Sequence, residues 1–482
     1  MGDEIKSSHF SLSDFTRFER ALRHETELLR GYFGNERFVE AHPVAGYELE
    51  TWLVDDNFDP NPCNDRFLNC LDGSLSKWIV PELARFNIEL NAQCRDLQSD
   101  VLRRIHEELD DTWRRASRSA RELDARLVMI GILPTVRRSQ LNPGSMSDRD
   151  RYRALNEQVF IMRGGEPVHL HVEGVETLDL MHEDVMLESA ATSLQVHIQV
   201  NLRQSADYFN AAQVVSAPIV AATGNSPLLF GKDLWAETRI PLFEQSVNTV
   251  NRRSDRYRTP ARVTFGNSYV KQSLLELFNE NLETFPVLLP FCSDTDEALL
   301  YHVRLHNGTI WRWNRPLIGF DSAGAMHLRI EHRVIGAGPT VVDTVANAAL
   351  FWGLVHALAE SDHDWRADLS FGEARDNFYR CARLGLDADV HWFDGRHGSV
   401  QHLLLDVLLP LARRGLLGLN VDEADVEHYL DIIERRVRKG RTGAQWQRDY
   451  IRHRGRDMSA LTREYWRQQE AGRPVAEWEW PC

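Results

Sequence analysis

The stretch that decides the fold is His327-Leu328-Arg329-Ile330-Glu331-His332-Arg333-Val334. Apolar and charged residues alternate along it, so a β-strand places Leu328, Ile330 and Val334 on one face and the Arg-Glu-Arg triplet on the other. Two guanidiniums beside a carboxylate suit a site where arginines bind phosphate oxygens and the glutamate binds a metal ion. A solvated strand with a salt bridge on its outer face explains the pattern equally well.

Three further segments combine an apolar face with a face of metal-binding side chains. They are residues 46–54, with Glu48 and Glu50; residues 86–93, with Glu89 and Asn91; and residues 192–200, with Gln195, His197 and Gln199. If the four strands form one antiparallel sheet, their polar faces make a single wall, covered from behind by helices. Each piece alone is weak evidence, and it is their joint occurrence that predicts a shared site.

The side chains on this wall favour a particular chemistry. Carboxylates that lie close together need a countercharge, because like charges raise one another's pKa. Oxygen ligands with one imidazole suit Mg²⁺ or Mn²⁺, whereas a zinc site would call for more His or Cys. Arginines beside the metals would neutralise charge on a transferring phosphoryl group. The sequence therefore predicts a multi-metal phosphoryl-transfer site.

The rest of the chain is predicted to be largely helical. We expect helices over residues 11–32, 97–126, 206–222, 340–360, 397–418 and 423–438, so the last third is expected to be all-helical. Residues 134–151, rich in Pro, Gly, Ser and Arg, form either a lid or a plain connector. Arg315 lies in an extended segment, 306–316, and either binds a substrate carboxylate or stacks on a tryptophan. The His169-x-His171 spacing suits a metal site, but no third ligand is near it in sequence, so a surface pair is expected.

Composition excludes some classes of protein. The 482 residues carry a net charge of −15, which argues against a surface for nucleic acid or an anionic membrane. Six scattered cysteines without a CxxC pair fit a reducing cytosol better than a disulfide framework. The two most apolar windows, 341–360 and 401–419, contain charged residues and are not expected to span a bilayer. We expect a cytoplasmic protein.

The sequence resembles the glutamate–cysteine ligase type 2 family, the carboxylate–amine ligases of the glutamine-synthetase superfamily. The resemblance runs from about residue 40 to 358. It is carried by Gly46-Tyr47-Glu48-Leu49-Glu50, Asn87-Ile88-Glu89, Thr192-Ser193-Leu194-Gln195-Val196-His197, Asn225-Ser226-Pro227-Leu228 and Arg329-Ile330-Glu331-His332-Arg333. The Gln-x-His strand and Arg-x-Glu-x-Arg are its most specific motifs.

The resemblance implies an α+β fold, with a curved antiparallel sheet that holds ATP and Mg²⁺, or Mn²⁺, on its concave face. It implies metal ligands at Glu48, Glu50, Glu89, His197 and Glu331. It implies phosphate contacts for Arg329 and Arg333, and we assign Gln195 and Gln199 to nucleotide binding. Arg315 joins the two other arginines as a catalytic candidate. We expect an N-terminal helix in residues 1–35, a catalytic domain in residues 36–358 and a helical C-terminal region in residues 359–482.

Members of this family phosphorylate a substrate carboxylate with ATP, and an amine then attacks the acyl phosphate to give an amide, ADP and phosphate. The expected partners are therefore a small carboxylic acid and an amine, both amino acids by default, as in γ-glutamylcysteine formation. Homo-oligomerisation stays open. A small-molecule kinase of the same superfamily and a non-catalytic nucleotide- or metabolite-binding regulator are the alternatives.

Overall fold

The computed structural model describes residues 9–249 and 261–479. The first residues of the expected N-terminal region, 1–8, and the last of the expected C-terminal region, 480–482, therefore lie outside the described residues. The strands are β1 (Val44–Val54), β2 (Ile79–Pro81), β3 (Asn87–Asn91), β4 (Arg95–Asp96), β5 (Arg126–Val128), β6 (Val168–Glu173), β7 (Thr177–His182), β8 (Ser193–Val200), β9 (Leu228–Leu229), β10 (Lys232–Asp233), β11 (Val263–Thr264), β12 (Trp311–Arg312), β13 (Asn314–Phe320), β14 (Met326–Gly336), β15 (Asp389–His391) and β16 (His397–Ser399).

The helices are α1 (Leu12–Gly34), α2 (Asn64–Cys70), α3 (Val101–Arg121), α4 (Asp150–Met162), α5 (Ser205–Thr223), α6 (Arg239–Ser246), α7 (Leu275–Thr284), α8 (Tyr301–Asn307), α9 (Val341–Ala359), α10 (Trp365–Asp368), α11 (Phe371–Leu384), α12 (Val400–Leu403), α13 (Leu409–Gly418), α14 (Glu423–Arg438), α15 (Gly443–Arg454) and α16 (Met458–Glu470). A π-helical turn, Leu404–Leu408, links α12 to α13.

One curled antiparallel sheet carries the four strands that the sequence predicts. Its order is β13-β14-β8-β1-β3-β2, with β4 and β5 also paired to β1. The register places Glu331 of β14 opposite His197 of β8, and Glu50 of β1 opposite Glu89 of β3. Because side chains alternate across a strand, this register puts the predicted acidic and imidazole groups on the same face. The expected α+β class with a curved antiparallel sheet is confirmed.

The apolar face of the sheet is covered by α5 and α9, whose residues are almost all buried. His332 of β14 stacks on Phe351 of α9, with ring centroids 4.2 Å apart. The Trp352 indole N–H donates to the main-chain oxygen of His197 at 3.0 Å. By length and composition α9 could cross a membrane, but 83% of its most apolar window is buried inside the fold. It is a core helix that supports the sheet from behind.

The C-terminal helices pack against the same core. Arg436 of α14 forms a fully buried ion pair with Asp343 of α9 at 2.8 Å. The C-terminal end of the chain forms part of a second core, in which Trp478 packs edge-to-face on Trp446 of α15 with 5.1 Å between the ring centroids. One detail departs from the expected all-helical C-terminal part: the β15–β16 hairpin interrupts it. The division at residues 35 and 358 stays a prediction.

Two smaller expectations are wrong. The segment 306–316 is not extended throughout, since it begins in helix α8 and only its second half enters β12 and β13. The apolar run 127–133 also predicts a buried strand, but the strand in this region, β5, ends at Val128. Both segments are short and buried, and burial alone does not distinguish a strand from other backbone conformations.

Candidate active site

The polar face of the main sheet forms one wall of a cavity. The opposite walls come from the first turn of α4, the end of α6 and helix α8, together with a 3₁₀ turn over Val185–Ala190. Of the ten predicted site residues, eight line this cavity: Glu48, Glu50, Glu89, Gln195, Arg315, Arg329, Glu331 and Arg333. His197 lies directly behind them, and Gln199 is not among the lining residues.

A first group of ligand-type atoms is formed by Glu48, His197 and Glu331. One ligand atom from each lies within 4.8 Å of the others, with His197 Nε2 at 3.5 Å from Glu48 and 3.8 Å from Glu331. This Nε2 is buried and has no hydrogen-bond partner among the described residues. Burial lowers the pKa of His197 to about 4, so the imidazole is neutral at pH 7 and its nitrogen can bind a cation.

A second group lies beside the first on β1 and β3. It contains Glu50, Glu89 and Glu82, the residue that follows β2, again with ligand atoms within 4.8 Å. Burial and the Glu82 carboxylate raise the pKa of Glu50 to about 7. Burial, Glu48 and Glu82 raise the pKa of Glu89 well above its usual value. Three carboxyl groups that repel one another in a buried place are the arrangement that a divalent cation relieves.

Arginines hold the Glu331 carboxylate from two sides. Arg315 donates to both of its oxygens, at 2.8 and 2.9 Å, and Arg333 donates to one of them at 2.9 Å. Burial would raise the pKa of Glu331, but the two guanidiniums hold it well below the usual range. Gln195 connects this pair to the second group, because its side chain accepts from Arg333 and donates to Glu50 at 3.0 Å. The network fixes the orientation of three predicted site residues.

Arg329 and Gln199 are direct neighbours across β14 and β8, at the end of the wall away from the carboxylates of β3. The buried Nε of Arg329 has no hydrogen-bond partner among the described residues, and the side chain lines the cavity. A guanidinium donor in that position is suited to an anionic oxygen. Gln199 is half-buried and does not line the cavity.

Sequence reasoning missed several charged residues that the fold brings to the cavity. Glu82 and Glu188 add carboxyl groups, and Arg304 adds a guanidinium from α8. Burial together with Glu82 and Glu50 raises the pKa of Glu188 well above its usual value. None of these residues lies on an alternating strand, so no periodic signal marked them.

The segment 134–151 contributes to the cavity only at its end. Arg151, in the first turn of α4, lines the cavity. Arg137 instead forms an ion pair with Asp59, and Arg138 donates to the main-chain oxygen of Met181. Both alternatives for this segment, lid and connector, remain predictions.

Comparisons with known proteins agree with this architecture. The family model for glutamate-cysteine ligase family 2 matches residues 44–472. Among solved structures, a glutamate–cysteine ligase from Francisella tularensis in complex with AMP superposes with a TM-score of 0.53 at 12% identity, over 92% of this chain and 91% of that chain. No curated protein gives a significant match.

A bifunctional glutathione synthetase from Pasteurella multocida is more distant, with a TM-score of 0.46, 12% identity and coverage of 92% of this chain and 55% of that one. The similarity to the Francisella structure establishes the fold, and the family model spans both the sheet and the C-terminal helices. The chain belongs to glutamate–cysteine ligase family 2.

Proposed function

We propose that the protein is an ATP-dependent carboxylate–amine ligase that forms an amide bond through an acyl phosphate. The observation that carries the proposal is the convergence of two carboxylate-rich groups with the arginines of β13 and β14 in one cavity. Family membership supports the ligase class. The AMP bound by the Francisella relative supports use of an adenine nucleotide.

The residues present fit divalent cations of the Mg²⁺ class. Glu48, His197 and Glu331 offer one set of ligands, and Glu50, Glu82 and Glu89 offer another. The unpartnered Nε2 of His197 and the raised pKa of Glu89 both indicate that these groups lack a countercharge of their own. When bound, Mg²⁺ or Mn²⁺ would neutralise phosphate charge and align the phosphoryl group for transfer.

The reaction balances with two displacements. A substrate carboxylate oxygen takes the γ-phosphoryl group from ATP, which leaves as ADP. The amine nitrogen then attacks the acyl carbon, phosphate departs with the bonding electrons, and the amine releases a proton. In this sequence we assign Arg329 to a phosphate oxygen, because its buried Nε lines the cavity without a protein partner among the described residues.

Arg333 and Arg315 have a shared positioning function in the proposal. Both already donate to Glu331, so they fix this carboxylate, and both side chains line the cavity. Arg333 can thereby contact a phosphate, and Arg315 can bind a substrate carboxylate only while it also holds Glu331. No tryptophan ring lies under the Arg315 guanidinium among the described contacts, so the stacking alternative receives no support.

The substrates are proposed to be small amino acids, and the location cytoplasmic. The cavity combines its charged wall with apolar side chains of Phe243, Phe278 and Leu305 on the far side. Such a lining suits a molecule with one charged end and one uncharged end. The free cysteines Cys63 and Cys381 are buried thiols, which agrees with a reducing compartment.

A screen of amino acids in pairs, with ATP and Mg²⁺, tests the proposal. We expect release of ADP and phosphate only when one carboxylate donor and one amine are both present, with the amide identified by mass spectrometry. Full ADP release with a single substrate would instead identify a kinase. Nucleotide binding without turnover for any pair would favour a regulator.

The Glu331→Gln variant connects the activity to the site. We expect it to lose turnover while circular dichroism stays unchanged, since glutamine keeps the size of the side chain and removes its charge. Unchanged turnover in this variant would contradict the assignment of the cavity as the active site.

A further inference from the structure

A third group of ligand-type side chains lies outside the cavity, on the β6–β7 hairpin. His169 and His171 are two residues apart on β6, so they share a face, and Asp179 of β7 is directly opposite His171. The sequence suggested a surface pair because the third member is eight residues beyond His171. The fold supplies it from the neighbouring strand.

The distances among the three side chains match those of a metal site. Asp179 Oδ1 is 2.8 Å from His169 Nε2, and Asp179 Oδ2 is 3.1 Å from His171 Nδ1. Metal–ligand distances of about 2.0–2.1 Å with tetrahedral angles separate ligand atoms by about 3.3 Å. The third pair of ligand atoms, between the imidazoles, is within 4.8 Å. A small cation therefore needs only a slight rearrangement of the side chains.

A second feature points to a bound cation. His171 has its Nδ1 turned to Asp179, and its other ring nitrogen, Nε2, is 3.2 Å from the carboxylate of Glu173. Histidine ligands commonly donate their second N–H to a carboxylate, which fixes the tautomer and makes the ligand more basic. The triad Glu173–His171–metal would repeat that arrangement.

The hairpin that carries these residues is packed against the rest of the fold. Leu170 and Val172, which alternate with the two histidines, are fully buried. The main chain of His171 exchanges two hydrogen bonds with the Gln245 side chain of α6, at 2.8 and 3.1 Å. Because Phe243 on the same helix lines the active-site cavity, the hairpin and the cavity share one supporting element.

We propose that His169, His171 and Asp179 form a binding site for a transition-metal ion of the Zn²⁺ class, separate from the acidic groups of the cavity. Two imidazoles and one carboxylate suit Zn²⁺, Cu²⁺ or Ni²⁺, whereas Mg²⁺ prefers oxygen ligands and retains its waters. The exposed side of the group leaves a fourth position for water. The ion would tie β6 to β7 next to α6.

Calorimetric titration of the full-length protein with ZnCl₂ tests the proposal. Excess Mg²⁺ is kept in the buffer so that the acidic groups of the cavity are occupied. We expect one Zn²⁺ to bind, and to raise the melting temperature. Asp179→Asn and His171→Gln should each weaken this binding by at least about tenfold, and Glu173→Gln should weaken it by about tenfold through the second nitrogen.

A second cross-strand histidine pair provides the matched control. His391 and His397 face each other on the β15–β16 hairpin with centroids 4.5 Å apart, but they belong to no three-ligand group among residues 9–249 and 261–479. His391→Gln should leave the Zn²⁺ isotherm unchanged. The proposal is overturned if the wild-type protein binds no Zn²⁺ under these conditions. It is equally overturned if His391→Gln removes the binding, or if Asp179→Asn and His171→Gln keep their circular dichroism and bind as the wild type does.

Discussion

Replacing Glu50 by glutamine removes one of the crowded negative charges without changing the size of the side chain. Burial and Glu82 raise the pKa of Glu50 from 4.5 to about 7, so the folded chain holds this proton more tightly than the unfolded chain does. Burial of Glu50 therefore does not lower the free energy of unfolding at low pH, where the carboxyl is protonated in both states. As the pH rises from 4.5 to 7 the free energy of unfolding falls, and above pH 7 this loss stays constant.

The size of the effect follows from the structure. A pKa raised by about 2.5 corresponds to about 3 kcal/mol at high pH, at about 1.4 kcal/mol per pH unit. Glutamine replaces one acceptor oxygen by an NH₂ group, and Glu50 accepts from the Ser193 N–H and the Gln195 side chain. Losing one such bond costs about 1 kcal/mol. Without metal, the variant and the wild type should thus have the same free energy of unfolding near pH 5. At pH 8 the variant's free energy of unfolding should be higher by about 2 kcal/mol.

Urea unfolding in EDTA at the two pH values measures this difference. We also expect Mg²⁺ to stabilise the wild type at pH 8 and to stabilise the variant much less, because a ligand of the second group is lost. The turnover of the Glu50→Gln variant should also fall, because the same ligand is lost. A variant that is less stable than the wild type at both pH values, or that keeps the full Mg²⁺ response, would refute the reasoning.

Glu244→Gln is the matched control. Burial also raises the pKa of Glu244 to about 7, but this residue belongs to neither acidic group. Its Oε1 accepts from Trp313 at 2.8 Å and from Tyr379 at 2.7 Å, and glutamine can retain both bonds. The variant should gain about 3 kcal/mol in the free energy of unfolding at pH 8, because no hydrogen bond is lost, and its response to Mg²⁺ should be unchanged. If Glu244→Gln also altered the Mg²⁺ response, removal of a buried carboxylate would be enough to explain the Mg²⁺ response of the Glu50 variant, without the loss of a metal ligand.

Three further variants test other parts of the account. Arg329→Gln should lower turnover by about 10²-fold and leave the urea midpoint unchanged, because its Nε has no hydrogen-bond partner among the described residues; normal turnover would exclude a phosphate contact. Arg436→Met should destabilise the fold by about 4 kcal/mol, since Asp343 would be buried without its cation, and an unchanged urea midpoint would contradict this. Gly415→Ala should lower the free energy of unfolding by about 2 kcal/mol, because the added Cβ would overlap the main-chain oxygen of Gly353. A melting temperature equal to that of the wild type would show that α9 and α13 can move apart without loss of stability.

The sequence predicted the strands of the site because each has one buried and one polar face. This alternation located β1, β3, β8 and β14 to within a few residues. Their pairing could not be derived in the same way, since β14 pairs with β8 and β8 with β1, across long intervening segments. A register shift after His332 further changes the pairing beyond Glu331. Register depends on tertiary contacts that no local pattern encodes.

The parts of the site that the sequence missed come from segments without periodicity. Glu82 follows a three-residue strand that ends in Pro81, and Glu188 lies on a 3₁₀ turn. Asp179 completes the histidine group from a different strand than its partners. Each reaches its place through packing rather than through an alternating pattern. Arg315 was identified by its type, but its two bonds to Glu331 depend on the pairing of β13 with β14.

Crystals grown with Mn²⁺ and a non-hydrolysable ATP analogue test the central claim most directly, because anomalous scattering locates the ion. The account predicts peaks within ligand distance of Glu48, His197 and Glu331 and of the Glu50–Glu89 group, with the analogue's phosphates beside Arg329. Nucleotide bound elsewhere on the molecule, with no Mn²⁺ peak at either group, would contradict it.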